Sequence, residues 1–200
     1  MSTRSETDPT DAELVERAKQ GDRDAFATIY RRHSAAVYRF CLSLCRSASA
    51  AEDVAHDVFV SLMGDLRRYD GARAPLVAYL YGIARNHIRQ GARREWRQVA
   101  MSDGAEGLAA PGDLVADLGS AERREALRAA LAVLPIRYRE VVVLCDLHEC
   151  DYGAAARVLG VPVGTVRSRL HRGRRLLAER LLRAEAPAPW SLRTLWRKLS

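Results

Sequence analysis

The segment from residue 163 to residue 183 is rich in side chains of the kind that can bind nucleic acid. It holds seven arginines and a single acid, Glu179. Arginine pairs with phosphates, and its planar fork matches the two acceptors of guanine. A helix that is only solvated usually mixes charges of opposite sign one turn apart, and that mixture is absent here. The segment therefore favours a DNA-binding helix over a merely solvated one.

The residues just before this segment have the spacing of a helix-turn-helix. Asp151 can cap a short helix over 152–159, Gly160 supplies the turn, and Pro162 suits the first turn of the next helix. The second helix would enter the major groove. Base contacts are expected from Arg167, Ser168, His171 and Arg172, and phosphate contacts from Thr165, Arg169 and Arg174.

The cysteines offer a second kind of chemistry, metal binding or redox chemistry. Cys145, His148 and Cys150 stand close together, but their spacing is not that of a zinc module. A redox role has no support in the pattern, and Cys41 and Cys45, one turn apart, favour core packing. We therefore expect neither a metal nor a cofactor. No phosphate loop, nucleophile elbow or catalytic carboxylate pair is recognisable, so the chain is not expected to be an enzyme.

Helical periodicity dominates the elements that would position these residues, which predicts an all-α fold. We expect Asp11 to cap the first helix and Ser49 with Glu52 to form a capping box for the third. The apolar stripe of that third helix should include Val58, Leu62 and Met63. The predicted helices cover 12–19, 23–46, 50–66, 75–98, 121–134, 137–147, 152–159 and 163–183.

Residues 99–119 interrupt the helical pattern with several glycines, one proline and only acidic charges. This composition predicts a flexible acidic linker between two small helical domains. The predicted division is a disordered N-terminus at 1–10, a first domain at 11–98, the linker at 99–119, a second domain at 120–185 and a basic tail at 186–200.

The formal net charge of +7 favours an anionic partner. The first ten residues have no apolar signal-peptide core, and no stretch is apolar for long enough to span a membrane. We therefore expect a cytoplasmic protein whose cysteines stay reduced.

Four segments resemble the extracytoplasmic-function (ECF) subfamily of bacterial RNA polymerase sigma factors. Residues 134–141 (LPIRYREV) and 161–172 (VPVGTVRSRLHR) are similar to its region 4. Residues 51–59 (AEDVAHDVF) and 78–86 (AYLYGIARN) are similar to its region 2, and the resemblance covers about 11–183. It implies a factor that binds core RNA polymerase through the β′ and β subunits and directs it to promoter DNA.

The resemblance assigns a polymerase-docking role to the helix after residue 50. The docking residues it implies are Glu52, Asp53, His56, Asp57 and Phe59. Two departures stand out: His56-Asp57 replaces the usual Gln-Glu, and Glu149-Cys150-Asp151 replaces Gly-Leu-Ser before the helix-turn-helix. Glu52 and Asp53 would also favour the helix N-terminus electrostatically.

The second part of region 2 is implied to read and melt the promoter −10 element, while region 4 reads the −35 element. Separated bases are held by stacking on aromatic rings and by pockets for flipped bases. The residues implied for the −10 element are Tyr69, Tyr79, Tyr81, Arg85, Asn86, Arg89 and Arg93. Core packing is the alternative role for the tyrosines, above all for Tyr81.

Two other classes of protein compete with this interpretation. A stand-alone helix-turn-helix regulator would sense a ligand or phosphorylation through its first domain, but the basic, tyrosine-bearing helix ending near Arg97 argues against it. A pure interaction protein, such as an anti-sigma-type inhibitor, has no need of the arginine face. Because the chain has no evident sensor domain, the resemblance also implies control by an anti-sigma factor. The sequence does not reveal the target promoters, the activating signal or the identity of that inhibitor.

Overall fold

The computed structural model describes residues 8–45, 47–99 and 118–183, which form helices and short connections. The all-α fold predicted from the sequence is confirmed. The tail predicted at 186–200, and the predicted linker between 100 and 117, lie outside the described residues. No helix in the described ranges is long and apolar enough to cross a membrane.

The helices before the linker form a first bundle with its own apolar core. Its members are α1 (Asp11–Lys19), α2 (Arg23–Leu44), α3 (Ala48–Asp65) and α4 (Leu76–Val99), with a 3₁₀ turn at Leu66–Arg68 after α3. Ile29, Phe40, Val58, Leu62 and Leu80 are fully buried where α2, α3 and α4 meet. Burial of these aliphatic and aromatic side chains holds the helices together.

The helices after the linker form a second bundle. Its members are α5 (Leu118–Ala132), α6 (Ile136–Val142), α7 (Tyr152–Leu159) and α8 (Val163–Arg183), with a π-helical turn at Val143–Leu147 after α6. Val141, Leu144, Ala155, Val166 and Leu177 are fully buried between them.

Two of the predicted helix starts are wrong. Thr10, not Asp11, caps α1: its hydroxyl accepts from Glu13 N at 3.3 Å, and Glu13 accepts from Thr10 N at 2.7 Å. Asp11 is thereby free to pair with Arg32 and His33 of α2. Ser47, not Ser49, caps α3, because the backbone is still extended at Ser47 and its hydroxyl accepts from Ala50 N at 3.2 Å.

Several predicted ends also shift by a few residues. Helix α2 ends at Leu44 rather than near residue 46, α4 runs to Val99, and α5 begins at Leu118, inside the segment assigned to the linker. The helix predicted over 137–147 is α6 continued by the π-helical turn. Such turns are rare and often lie at functional positions.

The short connection before the helix-turn-helix contains the one non-glycine residue of the described ranges with a positive φ, Glu149 at 50°. A side chain in this left-handed region costs about 1–2 kcal/mol, which glycine avoids. The related family commonly has glycine at this point, so the departure noted in the sequence carries a local conformational cost.

The two bundles pack on each other mainly through α4 and α7, with further contacts from α2 to α5 and to the π-helical turn. Arg139 of α6 links them as well, because it donates to the carbonyl of Leu44 in α2. The same side chain donates to the carbonyls of Ala132 and Leu134, where α5 ends.

Helix α8 approaches α6 closely at Gly173. A Cβ atom added there would lie 2.7 Å from Cγ2 of Val142 and 3.3 Å from the carbonyl oxygen of Tyr138. The Gly164 position on the same helix has open space instead.

We therefore expect Gly173→Ala to lower the free energy of unfolding by about 1–3 kcal/mol, because the added methyl overpacks α6 against α8. Gly164→Ala is the matched control and should be neutral or stabilising by up to about 1 kcal/mol, since alanine favours the helix. Chemical denaturation of both variants measures the difference. Equal stability of the two variants would contradict the close approach.

Candidate polymerase and nucleic-acid interfaces

Helix α3 presents a mixed acidic and apolar outer face. Glu52, Asp53, His56 and Asp57 are all exposed on it. Phe59 turns inward instead, where it is buried edge-on against Tyr30 with ring centroids 4.7 Å apart. Four of the five residues implied for docking are therefore accessible, and the fifth, Phe59, packs in the core against α2.

Two apolar residues on α3 are exposed, and the sequence predicted one of them, Met63, to be buried. Met63, predicted on the buried stripe, is 63 % exposed, and Val60 is 52 % exposed. The buried residues Val58, Leu62 and Leu66 are spaced four residues apart and lie on one side of the chain segment. Met63 lies at the edge of that buried side. The exposed pair adds an apolar centre to the acidic face.

The residues implied for the −10 element are divided between surface and interior. Asn86, Arg89 and Arg93 are exposed on α4. Tyr79 is half-buried beside a groove of about 680 Å³ that Asn86 also lines. Tyr69 is buried, and its hydroxyl donates to Ala74 O at 3.0 Å.

Tyr81 and Arg85 lie in the contact between the bundles. Tyr81 is 3 % exposed, stacks on Phe40 at 4.6 Å between centroids, and has its hydroxyl 2.8 Å from Nδ1 of His148. Arg85 is 8 % exposed, and its Nε donates to Oε1 of Glu140 at 2.9 Å.

Glu140 is the centre of a small buried network. The residue is only 2 % exposed, and Arg89 approaches its Oε1 at 3.8 Å in addition to Arg85. Arg85 also donates from Nη1 to the carbonyl of Val158 in α7, at 3.3 Å. Sequence reasoning missed Glu140 as a functional candidate, although an acid between the buried Tyr138 and Val141 is a signal for a buried basic partner.

His148, which stands between two cysteines in the sequence, contacts the Tyr81 hydroxyl in the structure. Burial first, and then the charge of Arg39, lower the pKa of His148 to about 4. The ring is therefore neutral near pH 7, and its Nδ1 shares a hydrogen bond with the Tyr81 hydroxyl. Among the described residues, no group of three or more histidine, cysteine or acidic side chains could hold a metal ion.

Three of the cysteine thiols, those of Cys41, Cys145 and Cys150, lie in environments that oppose ionisation. Burial raises the pKa of Cys41 and Cys145 to about 12 and that of Cys150 to about 11. The reactive species in thiol chemistry is the thiolate, which these surroundings disfavour. Cys41 packs in the core of the first bundle, as the sequence predicted.

The helix-turn-helix forms as predicted. The Asp151 carboxylate accepts from Ala154 N at 2.7 Å and begins α7, and Gly160 ends it with φ of 64°. Val166 and Leu170 are buried on the inner side of α8. Its outer side therefore faces away from the bundle.

The predicted DNA contacts of α8 are on or beside that outer side. Arg167, Ser168, His171, Arg172 and Arg174 are exposed, while Thr165 and Arg169 are half-buried. Arg174 is already paired with Asp146 of the π-helical turn, Nε to Oδ2 at 3.0 Å. The guanidinium of Arg167 lies 5.7 Å from the centre of the Tyr152 ring, a cation–π distance that the sequence did not reveal.

Comparison with known proteins agrees with this architecture. Residues 29–98 match the family model for sigma-70 region 2, and residues 124–177 match the model for sigma-70 region 4. The chain is 30 % identical over 177 residues to the ECF RNA polymerase sigma factor SigW of Bacillus subtilis, covering 84 % of this chain and 94 % of SigW. It is 31 % identical over 168 residues to the RNA polymerase sigma factor CarQ of Myxococcus xanthus, covering 84 % of this chain and 95 % of CarQ.

Solved structures give the same result for the fold. The sigma factor RpoE in its complex with the anti-sigma factor NepR from Bartonella quintana superposes with a TM-score of 0.68 and 27 % identity, covering 80 % of this chain and 98 % of RpoE. CnrH, in complex with the cytosolic domain of CnrY, superposes with a TM-score of 0.64 and 27 % sequence identity, covering 88 % of this chain and 99 % of CnrH.

Two helical bundles, of which the second carries a helix-turn-helix, together with both region matches, define a sigma-70-type protein. The chain belongs to the ECF subfamily of these sigma factors, RNA polymerase subunits that initiate transcription and catalyse no reaction of their own.

The environment of His148 predicts a pH dependence. Its pKa is lowered in the folded protein, so between about pH 6.5 and pH 4 the unfolded chain binds more protons at this site than the folded chain. Stability should therefore fall as the pH drops through this window, by on the order of 1–3 kcal/mol from this group. Thermal unfolding at a series of pH values measures the effect.

His148→Gln is the matched control, since glutamine can accept a hydrogen bond without titrating. The variant should lose less stability than the wild type over the same window, although carboxylates titrate there in both proteins. Identical pH profiles would contradict the buried, neutral state of His148.

Proposed function

We propose that the outer face of α3 docks this sigma factor on the coiled coil of the polymerase β′ subunit. Exposed Glu52, Asp53 and Asp57 supply charge, while exposed Val60 and Met63 supply an apolar centre. An apolar centre with a charged rim is typical of a protein–protein interface. In the second bundle, exposed Val133 and Ile136 at the α5–α6 turn are the candidate contacts for the β subunit.

The second bundle is proposed to read the −35 element through α8. The observation that carries this part is the arginine-rich outer face of that helix, presented by a helix-turn-helix with a well-formed turn. Arg167, Ser168, His171 and Arg172 are accessible for base edges in the major groove. Thr165, Arg169 and Arg174 lie beside them, where phosphates would pass.

The first bundle is proposed to read and melt the −10 element through α4. Asn86 and Tyr79 share one groove, and Arg89 and Arg93 lie on the exposed side of the same helix. An aromatic ring and an amide next to a basic surface are the groups that hold unpaired bases and their phosphates. Because a factor with this role acts on chromosomal promoters, we propose that the protein works in the cytoplasm.

The division of labour between the bundles predicts two different defects. Arg172→Ala should weaken discrimination at the −35 element by about 1–3 kcal/mol if the contact is bidentate. Asn86→Ala should impair use of the −10 element and leave binding to an isolated −35 duplex intact. Run-off transcription with core polymerase on genomic fragments, followed by base-by-base variation of one active promoter, measures both.

Arg128→Ala is the matched control, because Arg128 is an exposed arginine of α5 that pairs with its neighbour Glu125. It should leave both elements unaffected. Identical base-preference profiles for Arg172→Ala and Asn86→Ala would sink the assignment. Tight, specific duplex binding without polymerase would favour a stand-alone regulator.

An anti-sigma factor is proposed to hold the protein silent until a signal arrives. The two solved sigma factors compared above were each captured in a complex, RpoE with the anti-sigma factor NepR and CnrH with the cytosolic domain of CnrY. The α3 face must be exposed to bind polymerase, and the arginine face of α8 must be exposed to bind DNA. Both are therefore accessible to a competitor of matching shape and charge.

We expect affinity purification of this protein from uninduced cells to recover a stoichiometric partner other than polymerase subunits. An Asp53→Asn and Asp57→Asn double variant should recover less core polymerase, since it lacks charge on the α3 face. Recovery of core polymerase alone, with full activity whenever the protein is expressed, would overturn the inhibitor proposal.

A further inference from the structure

We infer that two tyrosines of the second bundle, Tyr152 and Tyr138, are positioning residues that hold the guanidinium groups of Arg167 and Arg172 in place for the −35 bases. The inference rests on the proposed function, in which these two arginines read base edges. It assigns a part in recognition to two residues outside α8, one on α7 and one on α6.

The need for positioning follows from the place of the two arginines. Arg167 and Arg172 are both exposed on α8. Ordering a long side chain with many rotamers on binding lowers the affinity, and two simultaneous hydrogen bonds to one guanine tolerate little angular error. A group that holds the guanidinium plane before DNA arrives therefore improves discrimination between bases.

Arg167 is held by an aromatic ring. Its guanidinium carbon lies over the Tyr152 ring, 5.7 Å from the ring centre. The backbone that carries this ring is fixed, because Tyr152 begins α7 and the Asp151 carboxylate caps that helix by accepting from Ala154 N at 2.7 Å. The negative face of the ring attracts the cation without using any of its five N–H donors. Arg167 therefore keeps all its donors for a base.

Arg172 is held by a hydroxyl instead. Tyr138 lies on α6 at the close approach of α8, where a Cβ atom added to Gly173 would be 3.5 Å from the Tyr138 Cβ atom. Arg172, the neighbour of Gly173, donates a hydrogen bond to the Tyr138 hydroxyl. Arg137 lies over the Tyr138 ring, 4.8 Å from its centre. The hydrogen bond from Arg172, and then the charges of Arg137 and Arg172, lower the pKa of the Tyr138 phenol.

The two contacts differ in chemistry, and phenylalanine separates them. Tyr138→Phe removes the hydroxyl that Arg172 uses and keeps the ring. Tyr152→Phe removes a hydroxyl that the contact with Arg167 does not use. The same change should therefore act at one position and be silent at the other, so each variant is the matched control for the other. Tyr152→Leu removes the ring and completes the set.

The functional test uses the holoenzyme on one active promoter whose −35 base pairs are varied singly, with run-off transcription as the measurement. Tyr138→Phe should lower discrimination about twofold to tenfold at the base pairs that Arg172→Ala affects, because the side chain must then be ordered on binding. Tyr152→Leu should lower it about twofold to fivefold at the base pairs that Arg167→Ala affects. Tyr152→Phe should match the wild type.

A second measurement detects the Arg172 contact without DNA. In the full-length protein labelled with ¹⁵N-arginine, the Nε–Hε signal of Arg172 is assigned by its loss in Arg172→Ala. This signal should shift, and its proton should exchange faster with water, in Tyr138→Phe. It should be unchanged in Tyr152→Phe, because that residue contacts Arg167 instead.

An unchanged Arg172 signal in Tyr138→Phe would overturn the contact. Wild-type discrimination in Tyr138→Phe, or a loss that persists when Arg172 is already alanine, would overturn the positioning role of Tyr138. Equal losses in Tyr152→Phe and Tyr152→Leu would overturn the role of the Tyr152 ring, since the hydroxyl would then act by itself. The proposed reading of the −35 element by α8 fails separately, if Arg167→Ala and Arg172→Ala both leave the base preference unchanged.

Discussion

A guanidinium group that leaves water needs anionic and carbonyl oxygens around it, and at Arg85 these come from a different part of the chain. The carboxylate of Glu140 and the carbonyl of Val158 together replace its hydration. Because their positions are fixed by α6 and α7, the second bundle has one favourable orientation on α4. Tyr81 and His148 add a second fixed point one turn away, so α4 is held against rotation as well as against displacement.

The helix-turn-helix was predictable because its determinants are local. Asp151, Gly160 and the buried pair Val166 and Leu170 lie within twenty residues, and each acts through its own backbone or the adjacent helix. The helix caps show the limit of this reasoning. Thr10 and Asp11 are adjacent, and both residue types are good helix caps. Ser47 and Ser49 are two residues apart and identical in type. A sequence pattern does not decide which of two such candidates has the extended backbone that a cap requires.

The surroundings of the candidate site were less predictable, since they depend on contacts between distant residues. Glu140 follows Arg85 by 55 residues, and residues 99–119 lie between them. Periodicity indicates that Glu140 is on an inward face but not which arginine it meets. Met63 is a similar case, because its periodicity is that of a core residue and only the packing of α2 and α3 shows that nothing within the described residues covers it.

The pairing of Arg174 with Asp146 bears on how binding to DNA would respond to salt. Much of the free energy of protein–DNA binding comes from counterions released when free positive charges meet phosphates. Arg174 enters such an encounter with its charge already balanced by an acid whose side chain is almost completely buried. It can orient a phosphate by hydrogen bonding, yet it displaces fewer ions than an unpaired arginine. The ionic-strength dependence of −35 recognition would then be shallower than the number of arginines on α8 implies.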